Sequence, residues 1–371
     1  MKDGGTQLGT REMSRIATIA RRYYHHREKQ KTIADALGVS QTDISRCLKL
    51  AHEHGIVQVF IDPSLTKNLE RELCTTFPHL HEAVVVPLAD LPGQSDEAPF
   101  LQELGVAGAR YLLREAHHGA TIGISCGYSV EAVINGIGQL RGKRAMLPIA
   151  TRIYPLLILM LPELVKVTPA ALVAQLVGTL PDAQGQVFQL PRVETERDLK
   201  FYTDNTQIQQ LLRAIEDLDY YVVGIGRIDY EGKMRDERHR QQRVTHEFNA
   251  LIWNRGLIES LQTYGAKGEV CYQPFDGHGK VLMHHADLAP LRQSVLYLPL
   301  AVLQQHVRDG RERKQTATPS KKIIAVAGGE RKYEAILAAL RAQIFNVLVI
   351  DSLTADKIVR EGIAPTASGA A

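Results

Sequence analysis

The sequence predicts an α/β protein in two parts, a short N-terminal helical domain followed by a longer, mostly parallel α/β domain. Three observations lead there. Small, glycine and aliphatic residues recur at helical spacing across Lys31–Ile56, KTIADALGVSQTDISRCLKLAHEHGI. From about Glu82 onward, apolar strand-like runs alternate with helical stretches. Several of those runs end in glycine-bearing loops that lead into helices.

The N-terminal pattern is that of a helix-turn-helix. Ala34, Gly38 and Ile44 stand four and six positions apart. A small residue lets the second helix approach, a glycine takes the turn, and an aliphatic residue closes the core. Ile33, Leu37, Val39, Cys47 and Leu48 complete the apolar face. Ser40 suits an N-cap, with Asp43 three residues on.

The outer face of the second helix carries Gln41, Thr42, Ser45, Arg46 and Lys49. Polar residues there reach base edges and phosphates in a DNA major groove. Gln41 and Arg46 suit the edges of adenine and guanine. Residues 1–60 hold ten Lys/Arg and six Asp/Glu, a local net charge of +4 against +3 for the whole chain. Arg11, Arg15, Arg21, Arg22, Arg27, Lys29 and Lys31 are candidates for a phosphate-facing surface. Lys31, Ser40, Gln41, Thr42, Ser45, Arg46 and Lys49 form the expected DNA-binding set, with double-stranded DNA as partner. A helical domain with a solvated basic face would share this pattern.

At 371 residues the chain exceeds this module and has room for two or three domains. Hydrophobic content of 44% and charged content of 23% argue against a disordered or membrane-spanning chain. Cys47, Cys74, Cys126 and Cys271 lie far apart, without zinc or redox spacing, so reduced cytoplasmic thiols are expected. The N-terminus lacks an apolar signal region. Tyr154–Val165 is too short to span a bilayer and belongs to a core or an interface. Neither a metal nor a cofactor is expected.

The expected boundaries are 1–62 for the helix-turn-helix domain, 63–80 for a linking helix, 81–361 for the α/β domain and 362–371 for a tail. Ile56–Ile61 (IVQVFI) reads as a short strand or wing. Leu65, Leu69 and Leu73 make a stripe suited to a dimer seam or to docking on the next domain, with the seam slightly favoured. Expected strands include Ala83–Leu88, Thr121–Ser125, Ala145–Ala150, Val187–Leu190, Tyr220–Ile225, Gly268–Tyr272, Val295–Leu300, Ile323–Ala327 and Val347–Ile350. Helices are expected at Pro99–His118, Ser129–Gly138, Pro169–Leu180, Asn205–Asp217, Thr245–Leu261, Tyr333–Ala342 and Thr354–Arg360, with a loop over Arg308–Pro319. Such alternation gives a largely parallel sheet covered on both faces.

Ligands of such sheets sit beyond the carboxyl ends of strands, at helix N-termini. Four segments have that form. In TIGISCGYSVEAVI, Gly127, Tyr128 and Ser129 follow a strand and open a helix, an arrangement suited to a phosphate. In YVVGIGRID, Gly226 and Arg227 follow another strand, the arginine being an anion partner. In CYQPFDGHG, Asp276 makes a turn and suits sugar hydroxyls. In AVAGGERKYEA, Gly328, Gly329 and Lys332 form a second anion segment. Ordinary tight turns would have the same local form.

Read together, these pieces resemble the SorC family of bacterial transcription regulators over roughly Met13 to Ile358. The resemblance is carried by IADALGVSQTDISRCLKLAHEHGIVQV, IGISCGYSVEAVI, the GIG at 224–226, GEVCYQPFDGHG and VAGGERKYEAILAALRAQIFNVLVIDSLTA. It implies an effector domain that looks like sugar-phosphate isomerases and binds a phosphorylated sugar without turning it over. It also implies homodimers or homotetramers on operator DNA. Gly127, Tyr128 and Ser129 would form the phosphate loop, and Asp276, Gly328, Gly329 and Lys332 would line the same cleft. Tyr128 and Ser129 depart from the small hydroxyl residues common in relatives. ATRIYP (150–155) departs from a Gly-rich form, with Arg152 as a substitute anion contact. Two alternatives stand beside this reading, an isomerase-like enzyme with an attached DNA module and a constitutive DNA-binding protein with a vestigial cleft.

Overall fold

The computed structural model describes residues 10–53, 56–57, 64–88, 97–141, 147–159, 168–188, 190, 196–228, 255–312 and 321–362. The chain divides into two compact units, Met1–Pro63 and Ser64–Ala371.

The first unit contains α1 (Thr10–Ala20), a π-helical turn at Arg21–His25, α2 (Gln30–Leu37) and α3 (Gln41–Glu53). Its core is Ile16, Ile19, Ala20, Ile33, Ala34, Ile44, Leu48 and Ala51, with Val39 and Cys47 at the margin. Leu37, expected in that core, is 41% exposed. It falls on the outer side of α2's last turn. Gly38 ends α2 at φ 62°, its amide bonded to the carbonyls of Ala34 and Asp35. A side chain resists that left-handed angle, which is why the turn needs glycine. Of the expected wing, only Ile56 and Val57 lie within the described residues, and both pack on this core.

The second unit begins with α4 (Ser64–Thr76), β1 (Glu82–Val86), α5 (Glu97–Glu115), β2 (Thr121–Ile124) and α6 (Tyr128–Leu140). There follow β3 (Arg152–Pro155), β4 (Leu157–Leu159), α7 (Pro169–Thr179), β5 (Gln184–Gly185), α8 (Glu196–Thr203), α9 (Thr206–Ala214), β6 (Tyr220–Gly224) and β7 (Gly226–Arg227). The last part holds α10 (Arg255–Thr263), β8 (Ala266–Val270), β9 (Gln273–Asp276), α11 (Ala289–Ser294), β10 (Val295–Tyr297) and α12 (Leu300–Glu312). It closes with β11 (Lys322–Val326), α13 (Tyr333–Arg341), β12 (Val347–Asp351) and α14 (Ser352–Gly362).

Seven of these strands form one parallel sheet in the order β1-β12-β11-β6-β2-β3-β5. The sheet is buried on both faces, as its apolar runs require. Successive residues of each strand divide between two cores. Ile122, Ile124, Val222, Ile324, Val326, Val347 and Val349 face α5, α6 and α7. Tyr221, Val223, Ile323, Ala325, Leu348 and Ile350 face the opposite cluster, which includes residues of α9, α12 and α13.

Strand order fixes where loops converge. From β2 the chain winds outward through β3 to β5. It then returns to β6, beside β2, and winds the other way through β11 and β12. The switch point lies between β2 and β6, where loops leave in opposite directions and open a crevice.

Several expected elements fall elsewhere. The strand expected at 145–150 lies at Arg152–Pro155, because Ala150 takes φ 57° and delays the extended run. That expected segment also reaches residues outside the described set. Of the strand expected at 187–190, Val187 and Phe188 carry no strand, residue 189 lies outside the described set and Leu190 makes only a bridge; the edge strand is β5, at Gln184–Gly185. β8 and β10 leave the parallel sheet. β8 joins an antiparallel ribbon with β7 and β9, and β10 pairs with β4. α12 occupies the first part of the expected loop at 308–319. Of the expected helix 245–261, residues up to 254 lie outside the described set, and α10 continues to Thr263.

The leucine stripe of α4 is used within the unit. Leu73 is fully buried and Leu69 packs on the same cluster, and the helix lies against β1 and α14. Leu156–Ile158, from the apolar stretch 154–165, also enters this core. Among the described residues, no helix is long and apolar enough to cross a membrane.

Candidate functional sites

Within the first unit, α3 presents a polar face. Gln41, Thr42, Ser45, Arg46 and Lys49 are exposed, as are Lys31 and Ser40. The start of the helix is fixed by a reciprocal cap. Asp43 N donates to Ser40 Oγ at 3.1 Å, while Ser40 N and Oγ donate to Asp43 Oδ2 at 3.2 and 2.7 Å. The Ser40 hydroxyl and amide hold the Asp43 carboxyl below its ordinary range, with Arg15 and Arg46 adding a smaller pull. Arg15 of α1 therefore lies near the start of α3.

The expected phosphate-facing set loses one member. Arg22 Nε donates to Glu28 Oε1 at 2.8 Å, and its guanidinium forms an ion pair with the same carboxylate. That pairing raises the Arg22 pKa and lowers the Glu28 pKa. Arg22 braces the π-helical turn. The turn is also braced by Tyr24, whose hydroxyl lies 2.7 Å from His52 Nε2 near the end of α3.

In the second unit, the switch-point crevice gathers the loops after β2, β6, β11 and β12. Gly127 caps α6 at φ 104°, where glycine is favoured, and the amides of Tyr128 and Ser129 follow at the helix N-terminus. Ser129 is 5% exposed and Tyr128 half-buried. Gly226 and Arg227 form β7, which packs against the turn at Glu330–Lys332. Two expected segments, 226–227 and 328–332, therefore meet, and the third, 127–129, lies against the end of β6 at Gly224.

Gly328 and Gly329 contribute in an unexpected way. Gly329 N donates to Asp351 Oδ2 at 2.8 Å and to Thr354 Oγ1 at 3.1 Å. Asp351 is fully buried, and its Oδ1 accepts from Thr354 N at 2.8 Å. This glycine amide is thus committed to a buried carboxylate, so an anion is better served by the α6 N-terminus.

Two expected residues lie elsewhere. Arg152 is exposed and opens β3, paired with Thr121 at the start of β2, so it stands at the amino ends of the strands, away from the loops that follow their carboxyl ends. The shift of the strand to 152–155 put it there. Asp276 closes β9 and caps its own turn, accepting from His278 N and Lys280 N at 2.9 Å each. The adjoining Gly277 O accepts from Arg341 at the last residue of α13, a helix length away from Lys332.

The other end of that ribbon enters the crevice instead. Its turn, Cys271–Tyr272, lies close enough to Cys126, the residue before Gly127, for the three groups to act on one another's pKa values. Glu269 Oε2 accepts from Tyr272 N at 2.6 Å. Burial raises the Cys126, Cys271 and Tyr272 pKa values, and Glu269 raises them further. Ser125, Glu269, Tyr272 and Asp351 are the crevice residues the sequence analysis missed. The acidic residue ending the apolar run VLVID was the available signal for Asp351.

A helix-turn-helix unit followed by an α/β unit with loops gathered at its switch point defines a class, a ligand-binding α/β domain carried behind a DNA-binding type of module. The chain belongs to the sugar-binding domain family (Sugar-bind), whose model matches residues 62–306 and 313–360. It is 26% identical to the transcriptional regulator LsrR of Escherichia coli strain SMS-3-5 over 366 residues, covering 96% of this chain and 97% of that one. It is 23% identical to the E. coli K12 transcriptional regulator YjhU, covering 90% of each. Its fold is similar to that of the full-length sorbitol operon regulator SorC of Klebsiella pneumoniae. That match has a TM-score of 0.65 at 24% identity, over 94% of this chain and 98% of that one. These findings agree with the SorC-family resemblance carried by the sequence motifs.

Proposed function

We propose that this protein is a DNA-binding transcription regulator whose operator affinity is set by a small phosphorylated sugar, or a related metabolite, held at the switch point of the α/β unit. The observation that supports this reading is that the end of β6 at Gly224 lies against Ser129 at the α6 N-terminus, while β7 (Gly226–Arg227), which follows directly, packs against the turn that ends in Lys332. Backbone amides and the helix dipole favour a phosphate there, and the two cations add to the attraction. Gly127, Tyr128 and Ser129 hold the anion, and Gly226, Arg227 and the 328–332 turn flank it. Lys31, Ser40, Gln41, Thr42, Ser45, Arg46 and Lys49 form the DNA-facing set. Regulators named for LsrR and SorC among the relatives support the same role.

The ligand acts as an effector and is not turned over. Proton transfer beside a carbonyl needs a carboxylate poised on substrate. Here Asp351 bonds to two backbone amides and Glu269 to one. An even-numbered homo-oligomer suits palindromic operator half-sites.

The test has two arms. Footprinting on the DNA upstream of the gene should show a protected, salt-sensitive site. Incubation with sugar phosphates, followed by NMR, should show no product. Sustained turnover would replace this reading with an isomerase-like enzyme.

A further inference from the structure

A cavity of about 260 Å³ lies between α8 and α11, lined by Leu199, Lys200, Thr203, Ala289, Arg292 and Gln293. None of these residues belongs to the loops gathered at the switch point.

Two of the lining residues are cations. Arg292 is half-buried and its guanidinium is anchored, Nη1 donating to Met283 O at 2.6 Å and to His285 O at 2.8 Å. Both acceptors are neutral carbonyls, and Arg292 has no carboxylate partner among the described residues. Asp287, which precedes it in the same stretch, instead accepts from the Tyr264 hydroxyl at 2.7 Å. Lys200, exposed on α8, also forms no ion pair among the described residues.

A half-buried cation with neutral partners alone is under-compensated. A second cation on the same cavity adds repulsion. An anion between them reverses both effects. The Nε and Nη2 groups of Arg292 make no hydrogen bond among the described residues, and that side of the guanidinium matches two oxygens of a carboxylate or a phosphate. Because the two carbonyls already hold the side chain, binding costs it little freedom. Leu199 and Ala289 supply an apolar wall, and the Gln293 amide a further donor. The volume falls below the roughly 300–1,000 Å³ of drug-sized ligand sites, which restricts the occupant to a small metabolite.

We propose that the cavity between α8 and α11 is a second ligand site, separate from the switch-point crevice, for a small organic oxyanion held by Arg292 and Lys200.

Calorimetry on the full chain tests it, with citrate and inorganic phosphate as probes. The native protein should bind at least one of them, and the tighter probe tells a carboxylate ligand from a phosphate ligand. Affinity should fall by about tenfold in Lys200→Gln and in Arg292→Gln. Lys200 is exposed and holds no other element in place, so its variant keeps the test valid if Arg292→Gln fails to fold. Lys332→Ala, in the crevice, should leave this affinity unchanged. Binding that Lys332→Ala abolishes and Lys200→Gln leaves intact would overturn the second site and leave the crevice reading standing. Failure of both probes to bind would also overturn it. If Lys200→Gln then formed a smaller assembly in sedimentation, the two cations would be assigned to an acidic side chain of a second copy of the chain.

Discussion

The Ser125 hydroxyl accepts a hydrogen bond from the Gly224 amide at 3.2 Å. It ties together the ends of β2 and β6, the neighbours from which the chain winds in opposite directions. Ser125 is 2% exposed, and its own amide donates to Val222 O at 2.9 Å. One residue thus pins the two strand ends together through its amide and its hydroxyl. Ser125→Ala leaves the Gly224 amide without this acceptor, and should cost about 1–3 kcal/mol of stability. Urea denaturation reads that loss. Ligand response should weaken more than DNA binding does.

The start of α3 depends on the Ser40–Asp43 cap. Ser40→Ala should cost about 0.5–2 kcal/mol in unfolding free energy. It should also lower operator affinity, since Gln41 and Thr42 lie in the turn that frays. Ser40→Asp, which keeps a capping oxygen, should retain more stability than alanine. Equal losses for the two variants would remove the cap from the account.

Arg46 is exposed on the face of α3 proposed to meet DNA. Arg46→Ala should weaken operator binding by about 1–3 kcal/mol and relax preference at one base position. Anisotropy titrations on base-substituted operators measure both effects. Unchanged affinity would take Arg46 out of the reading set.

A methyl group at Gly328 has no room. A Cβ there would lie 2.5 Å from Asp351 Oδ2 and 2.7 Å from the Phe100 ring. Gly328→Ala should therefore destabilise the second unit by about 1–3 kcal/mol. It should also loosen the bond from Gly329 to Asp351. Thermal melts and effector titrations of the variant report the two effects separately.

Acid should destabilise the protein through His79. This histidine is 4% exposed, and its Nε2 has no hydrogen-bond partner among the described residues. Burial, with Arg311 and His81 nearby, pushes its pKa from 6.5 down to about 4. The unfolded chain takes up a proton near pH 6.5 that the folded chain refuses until about pH 4. This contribution to stability is intact above the first value, shrinks as pH falls between the two, and levels off below the second. The slope is at most about 1.4 kcal/mol per pH unit. His79→Gln should show a smaller loss than the native protein between about pH 6.5 and about pH 4.

The parts legible in the sequence were those with a short-range signature. Ala34, Gly38 and Ile44 announce their turn because spacing and backbone angle are local properties. Gly127–Ser129 and Gly328–Lys332 could be placed at strand ends because apolar runs stop just before them. Arg152 was misplaced because the αL angle of Ala150, which a non-glycine residue rarely adopts, moved the strand. Asp276 was misplaced because its position depends on which end of an antiparallel ribbon meets the sheet. Motif spacing does not encode that choice. Asp351 was missed because it ends the apolar run VLVID and its partner Gly329 is 22 residues away in sequence.

The central claim is that the α/β unit's ligand changes the affinity of the helix-turn-helix unit for DNA. Fluorescence anisotropy on the upstream DNA tests it most directly, with and without a panel of phosphorylated sugars. The account predicts that at least one compound shifts operator affinity, and that alanine at Lys332 or Arg227 blunts the shift without changing affinity for DNA alone. Tight DNA binding that no compound alters would contradict it and make this a constitutive DNA-binding protein with a vestigial cleft.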